Sequence, residues 1–270
     1  VEYYKNNNNL NNADKILAVE SLGLEAESNQ FDTSSADLSS TSLSKKIVTE
    51  VLLGVDPTED KKTLESQIDE NGNVEGSWGA SSDVWTLYAL YVTSSEKTNL
   101  IANKLNDELA ASSVCGYEWG GTYYADYDTT GWVIEGLAVV NKEKYATTIN
   151  KAIDYIKNNT TMTTTGWVTA DNVDTQSQVL EGMFAYDTNA LLNDSYTVHP
   201  VDCLLNTQLS DGSFPSGYNA EYTTAEVAKT LGTYKNGSVI IKAKKAYDKM
   251  MNPEQPDNTK PAQPTDTKKD

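Results

Sequence analysis

The sequence predicts an all-α fold, and three observations carry that prediction. The first is a helical pattern that recurs six times. DTTGWVIEGLAVV at 128–140 superposes on DTQSQVLEGMFAY from Asp174, YTTAEVAKTLGTY from Tyr222, SSDVWTLYALYV, SKKIVTEVLLGV and ADKILAVESLGL. The aligned anchors are Leu22, Leu53, Leu90, Leu137, Met183 and Leu231, roughly 31, 37, 47, 46 and 48 residues apart, a period that signals a repeat architecture. The second is that apolar residues between the copies keep helical spacing: Leu100, Ile101, Leu105 and Leu109, then Tyr145, Ile149, Ile153 and Ile156. The third is that no segment shows the alternation of a half-buried strand pair with hairpin signals. Tyr123, Tyr124 and the threonine run at 160–165 are β-formers, but they fall in loops between strong helices.

Taken in order, residues 1–9 read as a polar lead-in and 11–24 as the first repeat helix, closed by Gly23. The Ser-rich stretch 25–42 reads as a loop, and 43–54 as the second repeat helix, ended by Gly54. Pro57 suits the start of a short helix at 58–68. The third repeat helix is expected over 81–93 with a companion at 96–111, the fourth over 128–140 with a companion at 142–157. The fifth is expected over 174–186 with a companion at 197–209, the sixth over 222–234 with a companion at 237–251. Residues 10–252 thus form one domain. The stretch 253–270, with its prolines among Lys, Asp, Thr and Gln, reads as a disordered linker that would tether the domain within a larger protein.

The net charge of −18 argues against nucleic acid and anionic membrane surfaces as partners. No apolar run approaches the ~20 residues of a membrane span. Cys115 and Cys203 lie in different repeats and are expected to be free thiols. The richness in Asn, Thr, Ser and Tyr suits an extracellular or bacterial cell-surface protein.

Register within the repeat separates scaffold from site. With each anchor as position zero, positions zero, −3 and −4 are mostly apolar and −1 is usually small: Ser21, Ala89, Gly136, Gly182, Thr230. Position −2 reads Glu20, Val51, Tyr88, Glu135, Glu181, Lys229, and position −5 reads Leu17, Val48, Trp85, Trp132, Gln178, Glu226. Position −9 includes Ser81, Asp128, Asp174 and Tyr222. At about 100° per residue, −9, −5 and −2 share one face, roughly opposite the anchor. The candidate ligand-binding residues are therefore Trp85, Tyr88, Asp128, Trp132, Glu135, Asp174, Gln178, Glu181 and Lys229. Asp128 and Asp174 also open their helices and are expected to serve as N-caps. The five tryptophans are expected mainly to pack.

SQIDENGNVEGSWG at 66–79, NTQLSDGSFPSG at 206–217 and GYEWGG at 116–121 resemble the loops of the prenyltransferase/squalene-cyclase type of repeat, in the divergent form of Gram-positive surface proteins. The first two keep a Gln, an acidic residue, then Gly and an aromatic, and IVTEVLLGVDPT at 47–58 is similar to a recurrent segment of those proteins. The resemblance covers about residues 10–251 and implies an α6/α6 toroid, six inner helices each followed by an outer one. Terpene cyclases, protein prenyltransferases and the cobalamin carriers transcobalamin and intrinsic factor share that architecture.

The catalytic equipment of those enzymes does not carry over. No D-x-D-D occurs, and ADYD at 125–128 is the nearest phrase. His199, Asp202 and Cys203 lack the spacing of the prenyltransferase zinc ligands, and Cys115 has Glu118 where a thioester needs Gln. No metal or cofactor is expected. The reading that follows is a non-catalytic toroid that binds a small molecule, glycan or protein partner at the mouth of the ring. A corrinoid is one possibility by analogy of fold. The alternatives are a carbohydrate-active hydrolase using Glu135 and Glu181, a degenerate terpenoid enzyme, or a structural spacer. An open centre exposing Trp85, Trp132, Glu135 and Glu181 would favour binding or catalysis, and a plugged one the spacer.

Overall fold

Residues 1–27, 31–32, 37–160, 172–189, 198–217 and 219–253 are described by a computed structural model. Trp167, most of the threonine run, the first residue of the expected 197–209 companion and nearly all of the 253–270 linker lie outside them. The six repeats fold as α2 (Ala13–Ser21), α3 (Ser40–Leu52), α5 (Ala80–Val92), the first half of α7 (Tyr127–Asn159), α8 (Val173–Tyr186) and α10 (Ala220–Asn236). Between them come α4 (Thr58–Ser66), α6 (Thr98–Ser112) and α9 (Pro200–Leu205), and the described chain ends in α11 (Val239–Met251). The expected fourth helix and its companion form one element interrupted at Asn141, whose φ of −164° and ψ of 90° break the helical path.

The repeat helices are packed in sequence. α2 lies on α3, α3 on α5, α5 on α7, α7 on α8 and α8 on α10, and α10 packs back on α2. Helices α5, α8 and α10 are buried on almost every face, as helices enclosed by neighbours must be. The companion stripes behave as their spacing requires: Ile101, Leu105 and Leu109 of α6, and Tyr145, Ile149, Ile153 and Ile156 of α7, are all buried in the main core.

The small residues at position −1 have a packing reason. A Cβ on Gly182 would sit 2.1 Å from the Gly131 carbonyl oxygen, and one on Gly131 would sit 2.4 Å from the Gln178 carbonyl oxygen. The α7 and α8 backbones therefore touch, which only glycine at both positions permits. At the α10–α2 contact, Ser21 Oγ reaches the Ala228 carbonyl at 3.3 Å, and between α8 and α10 Thr230 Oγ1 donates to the Ser177 carbonyl at 2.8 Å.

Three features depart from the sequence expectation. Residues 1–9 are not only a lead-in: α1 (Glu2–Asn6) folds there, and Tyr4 is buried with Leu10, Ile16, Ala225 and Ala228. A second departure is a β-hairpin, β1 (Cys115–Trp119) with β2 (Thr122–Asp126), where a loop was expected. Its two turn residues, Gly120 and Gly121, have φ of 57° and 77°, the positive pair that a two-residue hairpin turn requires. The alternation was hidden because only the Cys115–Gly116 end of the hairpin is buried. Trp119, Tyr123 and Tyr124 all remain exposed.

The third departure is α11, which is not a companion packed mainly on its own α10. It lies against α2, α3 and α5 as well, and its Ser238 cap reaches Glu135 of α7. Lys242 pins it further, with Nζ 2.5 Å from Glu20 Oε2 and 2.9 Å from the Glu20 carbonyl. The apolar stripe Val239, Ile240, Ala243 and Tyr247 is buried by this placement, so α11 covers the helices from the side away from their N-termini.

Candidate functional site

The N-terminal ends of α5, α7, α8 and α10 border a cleft of about 660 Å³. Position −9 of four repeats lines it: Ser81, Asp128, Asp174 and Tyr222. Trp132 and Gln178, both at position −5, lie deeper, and Trp78, Tyr117, Asp126 and Tyr127 complete the wall. The contact of Gly131 with the α8 backbone brings Asp128 and Trp132 to the same opening as Asp174 and Gln178.

Neither aspartate is the helix cap that its position suggests. Asp126 caps α7, accepting a 2.7 Å bond from the Thr129 amide, and Asn172 caps α8, accepting 3.2 Å from the Thr175 amide. The true caps sit two residues earlier, which leaves the Asp128 and Asp174 carboxyls facing the cleft. Burial pushes Asp128 up to about 6, and the neighbouring Asp126 and Glu226 add to this. Burial likewise pushes Asp174 up to about 7, with Glu226 and Asp128 repelling its charge while Lys229 and Gln178 pull the other way. Two half-buried carboxyls at one opening thus disfavour each other's ionisation.

Four polar atoms of the wall have no hydrogen-bond partner among the described residues: Ser81 Oγ, Trp132 Nε1, Asp174 Oδ1 and Gln178 Oε1. Buried polar atoms are normally paired, because leaving one dry costs about 1–3 kcal/mol. Four of them on one cleft mark it as a place where something polar is received.

The remaining predicted residues do not share this opening. Trp85, Tyr88, Glu135, Glu181 and Lys229 are at most 3% exposed, and none lines the cleft. Position −2 lies roughly 10 Å along the helix from position −9, and there the helices close on a charged core. Lys229 Nζ is 3.0 Å from Glu226 Oε2 and 3.5 Å from Glu181 Oε2. It also stands 5.4 Å from the Trp85 ring centre, and Lys45 stands 4.5 Å from the same ring. Glu135 Oε1 accepts 2.6 Å from Ser238, and its Oε2 is 3.0 Å from the Tyr88 hydroxyl. Burial raises Glu181 well above the usual carboxyl range, and Glu135 and Glu226 are raised for the same first reason. Burial disfavours the Lys229 ammonium, but Glu181, Glu226 and Glu135 together outweigh it and hold its pKa above the ordinary lysine value.

The centre is therefore filled, while the mouth is open. Glu135 and Glu181, the candidate hydrolytic pair, reach no solvent in this arrangement. Glu226, at position −5 and outside the predicted set, is nearer to Lys229 than Glu181 is. Ser81 and Tyr222 share the register of Asp128 and Asp174, so the repeat itself identifies them. Tyr117 and Asp126 belong to the hairpin that was read as a loop.

The loops position the rest. Ser77 Oγ donates 2.6 Å to Asp83 Oδ1, Lys104 holds Asp83 Oδ2 at 2.9 Å, and the Glu118 amide donates 2.6 Å to the Trp78 carbonyl. Trp78 and β1 are thereby fixed together at the rim. Cys115 and Cys203 are both buried, and neither forms a disulfide among the described residues. Among the described residues no group of three or more His, Cys, Asp or Glu side chains could hold a metal ion, and no helix is long and apolar enough to cross a membrane. Comparison with protein-family models, with curated proteins and with solved structures finds no match for this chain. What the described residues define is a mainly helical fold with a polar cleft at the N-terminal ends of α5, α7, α8 and α10.

Proposed function

We propose that the chain is a non-catalytic binding domain of a secreted or cell-surface bacterial protein, built as an α6/α6 toroid, and that it takes its ligand at the N-terminal mouth. The toroid is supported by the order of packing, in which α10 returns to α2, and by α6 packing on its neighbours α5 and α7. The resemblance of the Gly-aromatic loops supports the same architecture. The one observation that carries the binding role is the set of unpartnered polar atoms on Ser81, Trp132, Asp174 and Gln178 around one cleft.

A thermal-shift screen tests this reading, because a ligand that binds only the folded chain raises its melting temperature by mass action. A ligand shift that Gln178→Ala abolishes is the expected result. The sealed charge core favours a second reading, a structural spacer, and a screen across amines, glycans and peptides with no shift would establish it over the first. Turnover of a glycan, lost in Asp128→Asn or Asp174→Asn, would overturn the non-catalytic claim.

A further inference from the structure

We infer that the ligand of this cleft carries an organic ammonium group, seated between the Asp128 and Asp174 carboxyls and the aromatic rings of Trp78, Trp132 and Tyr222. The inference rests on the binding role proposed above and narrows it to a ligand class.

Every charged residue that lines the cleft is acidic: Asp126, Asp128 and Asp174. A cluster of acids alone says little, since the whole surface is acidic. The independent observation is Gln178. Its side chain is 1% exposed, it lines the cleft, and its Oε1 has no partner among the described residues. With Asp174 Oδ1 beside it, the wall presents at least two unmet acceptors. The hydroxyl of Ser81 can act either way, and only Trp132 Nε1 is an obligate donor. A wall rich in acceptors asks for a ligand rich in donors.

The aromatic lining sharpens this. An ammonium group over an indole or phenol ring gains about 0.5–2 kcal/mol, more as water is excluded. A bare inorganic ion would not use those rings, and the cleft lacks the three-ligand cluster a metal needs. A neutral sugar could stack on them, but it would leave the two carboxyls repelling one another. An ammonium relieves that repulsion.

Charge linkage then follows from every group that faces the pair. Asp126, the last residue of β2, and Glu226 on α10 push Asp128 toward the neutral form, which a hydrogen bond with Thr175 opposes; Glu226 and Asp128 push Asp174 the same way, which Lys229 on α10 and Gln178 oppose. A cation favours the ionised form of both, so binding releases protons near neutral pH and strengthens as pH rises from 5 to 8.

The test is isothermal titration calorimetry on the whole chain at pH 8 and pH 5. The probes are cadaverine, tetramethylammonium, an acetylated Gly-Lys-Gly amide and chitotetraose. The expected result is that cadaverine, tetramethylammonium or the lysine peptide binds at pH 8, releases protons and weakens at pH 5. Asp174→Asn should weaken binding about tenfold. The exposed-rim variant Trp78→Ala, which leaves the core untouched, should weaken it about threefold. The free amine against the peptide tells a small metabolite from a protein side chain as the source. Binding of chitotetraose with no response to any ammonium probe would overturn this inference and leave the binding role standing. Silence from all four probes, or ammonium binding unchanged in both variants, would overturn it as well, and silence also counts against the binding role.

Discussion

Ser238 donates a 2.6 Å hydrogen bond to Glu135, joining the first residue before α11 to the first half of α7 across 103 residues of chain. The Tyr88 hydroxyl, 2.9 Å from the Trp132 carbonyl and 3.0 Å from Glu135, completes the arrangement. Glu135 is therefore a fastener between three elements. Glu135→Ala strips the acceptor from Ser238, leaves Tyr88 only the Trp132 carbonyl, and should cost about 1–3 kcal/mol in urea unfolding. Glu135→Gln keeps one acceptor and should cost about 1 kcal/mol. Neither variant should alter ligand affinity at the mouth, since Glu135 lies outside the cleft; a loss of affinity in folded Glu135→Gln would return this residue to the site.

Gly182 meets the Gly131 carbonyl so closely that any side chain forces α7 and α8 apart. Gly182→Ala should destabilise by about 1–3 kcal/mol or more, seen as a fall in melting temperature of roughly 2–4 °C per kcal/mol. Because the same contact aligns Asp128 with Asp174, the variant should also weaken ligand binding at a temperature where it remains folded. Unchanged stability would mean that the two backbones are not in contact.

How much of this was legible beforehand depends on which physical signal each part left. The six helices were legible because anchor spacing and helical period agree, and burial of the companion stripes follows from the same pattern. The cleft was half legible. Position −9 names Ser81, Asp128, Asp174 and Tyr222 together, yet the reading weighted −2 equally, and −2 turned out to be the sealed end. Periodicity gives a face and not a depth, so Glu135 and Asp128 looked alike. Capping misled for a related reason: Asp at a helix start is a good cap, but Asp126 and Asn172 stand two residues ahead and take that role. The hairpin gave only its Gly120-Gly121 turn, because strands buried at one end alone need no alternation. The path of α11 across the other helices depends on contacts far apart in sequence, which no local pattern records.

The raised cleft carboxyls make stability depend on pH in a direction unusual for an acidic protein. A carboxyl with a higher pKa in the folded chain holds its proton more tightly there than in the unfolded chain. Its destabilising effect is absent below the unfolded value, grows as pH rises, and is complete above the folded value. For Asp128, Asp174 and Glu50 the folded values are about 6, about 7 and about 7, so stability should fall between pH 4 and pH 8. The exposed Asp56, Asp69 and Asp211, held low by hydrogen bonds from Thr58, Asn73 and Ser213, act only below the usual aspartate value of 3.8 and do not blur this window. Asp174→Asn removes one such charge and should gain about 1–3 kcal/mol at pH 8, with little gain at pH 4.5. Equal gains at both pH values would show that the carboxylate charge is not the cause.

Lys229 stands among Glu135, Glu181 and Glu226, with Nζ 3.0 Å from Glu226 and 3.5 Å from Glu181. Removing one partner of a buried ion pair leaves the other charge uncompensated, which costs about 3–5 kcal/mol. Lys229→Met should therefore lose that much stability at pH 8. Its deficit should shrink at pH 5, because the orphaned carboxyls can then take up protons without penalty. Adding Glu181→Gln and Glu226→Gln to Lys229→Met removes the two carboxylates nearest the lost ammonium and should restore most of the loss at pH 8. Recovery in the triple variant would identify charge burial as the cost, and the surviving deficit would measure what the lysine contributes by packing on Trp85. A triple variant as unstable as the single one would mean that the Lys229 side chain acts through its shape and not its charge.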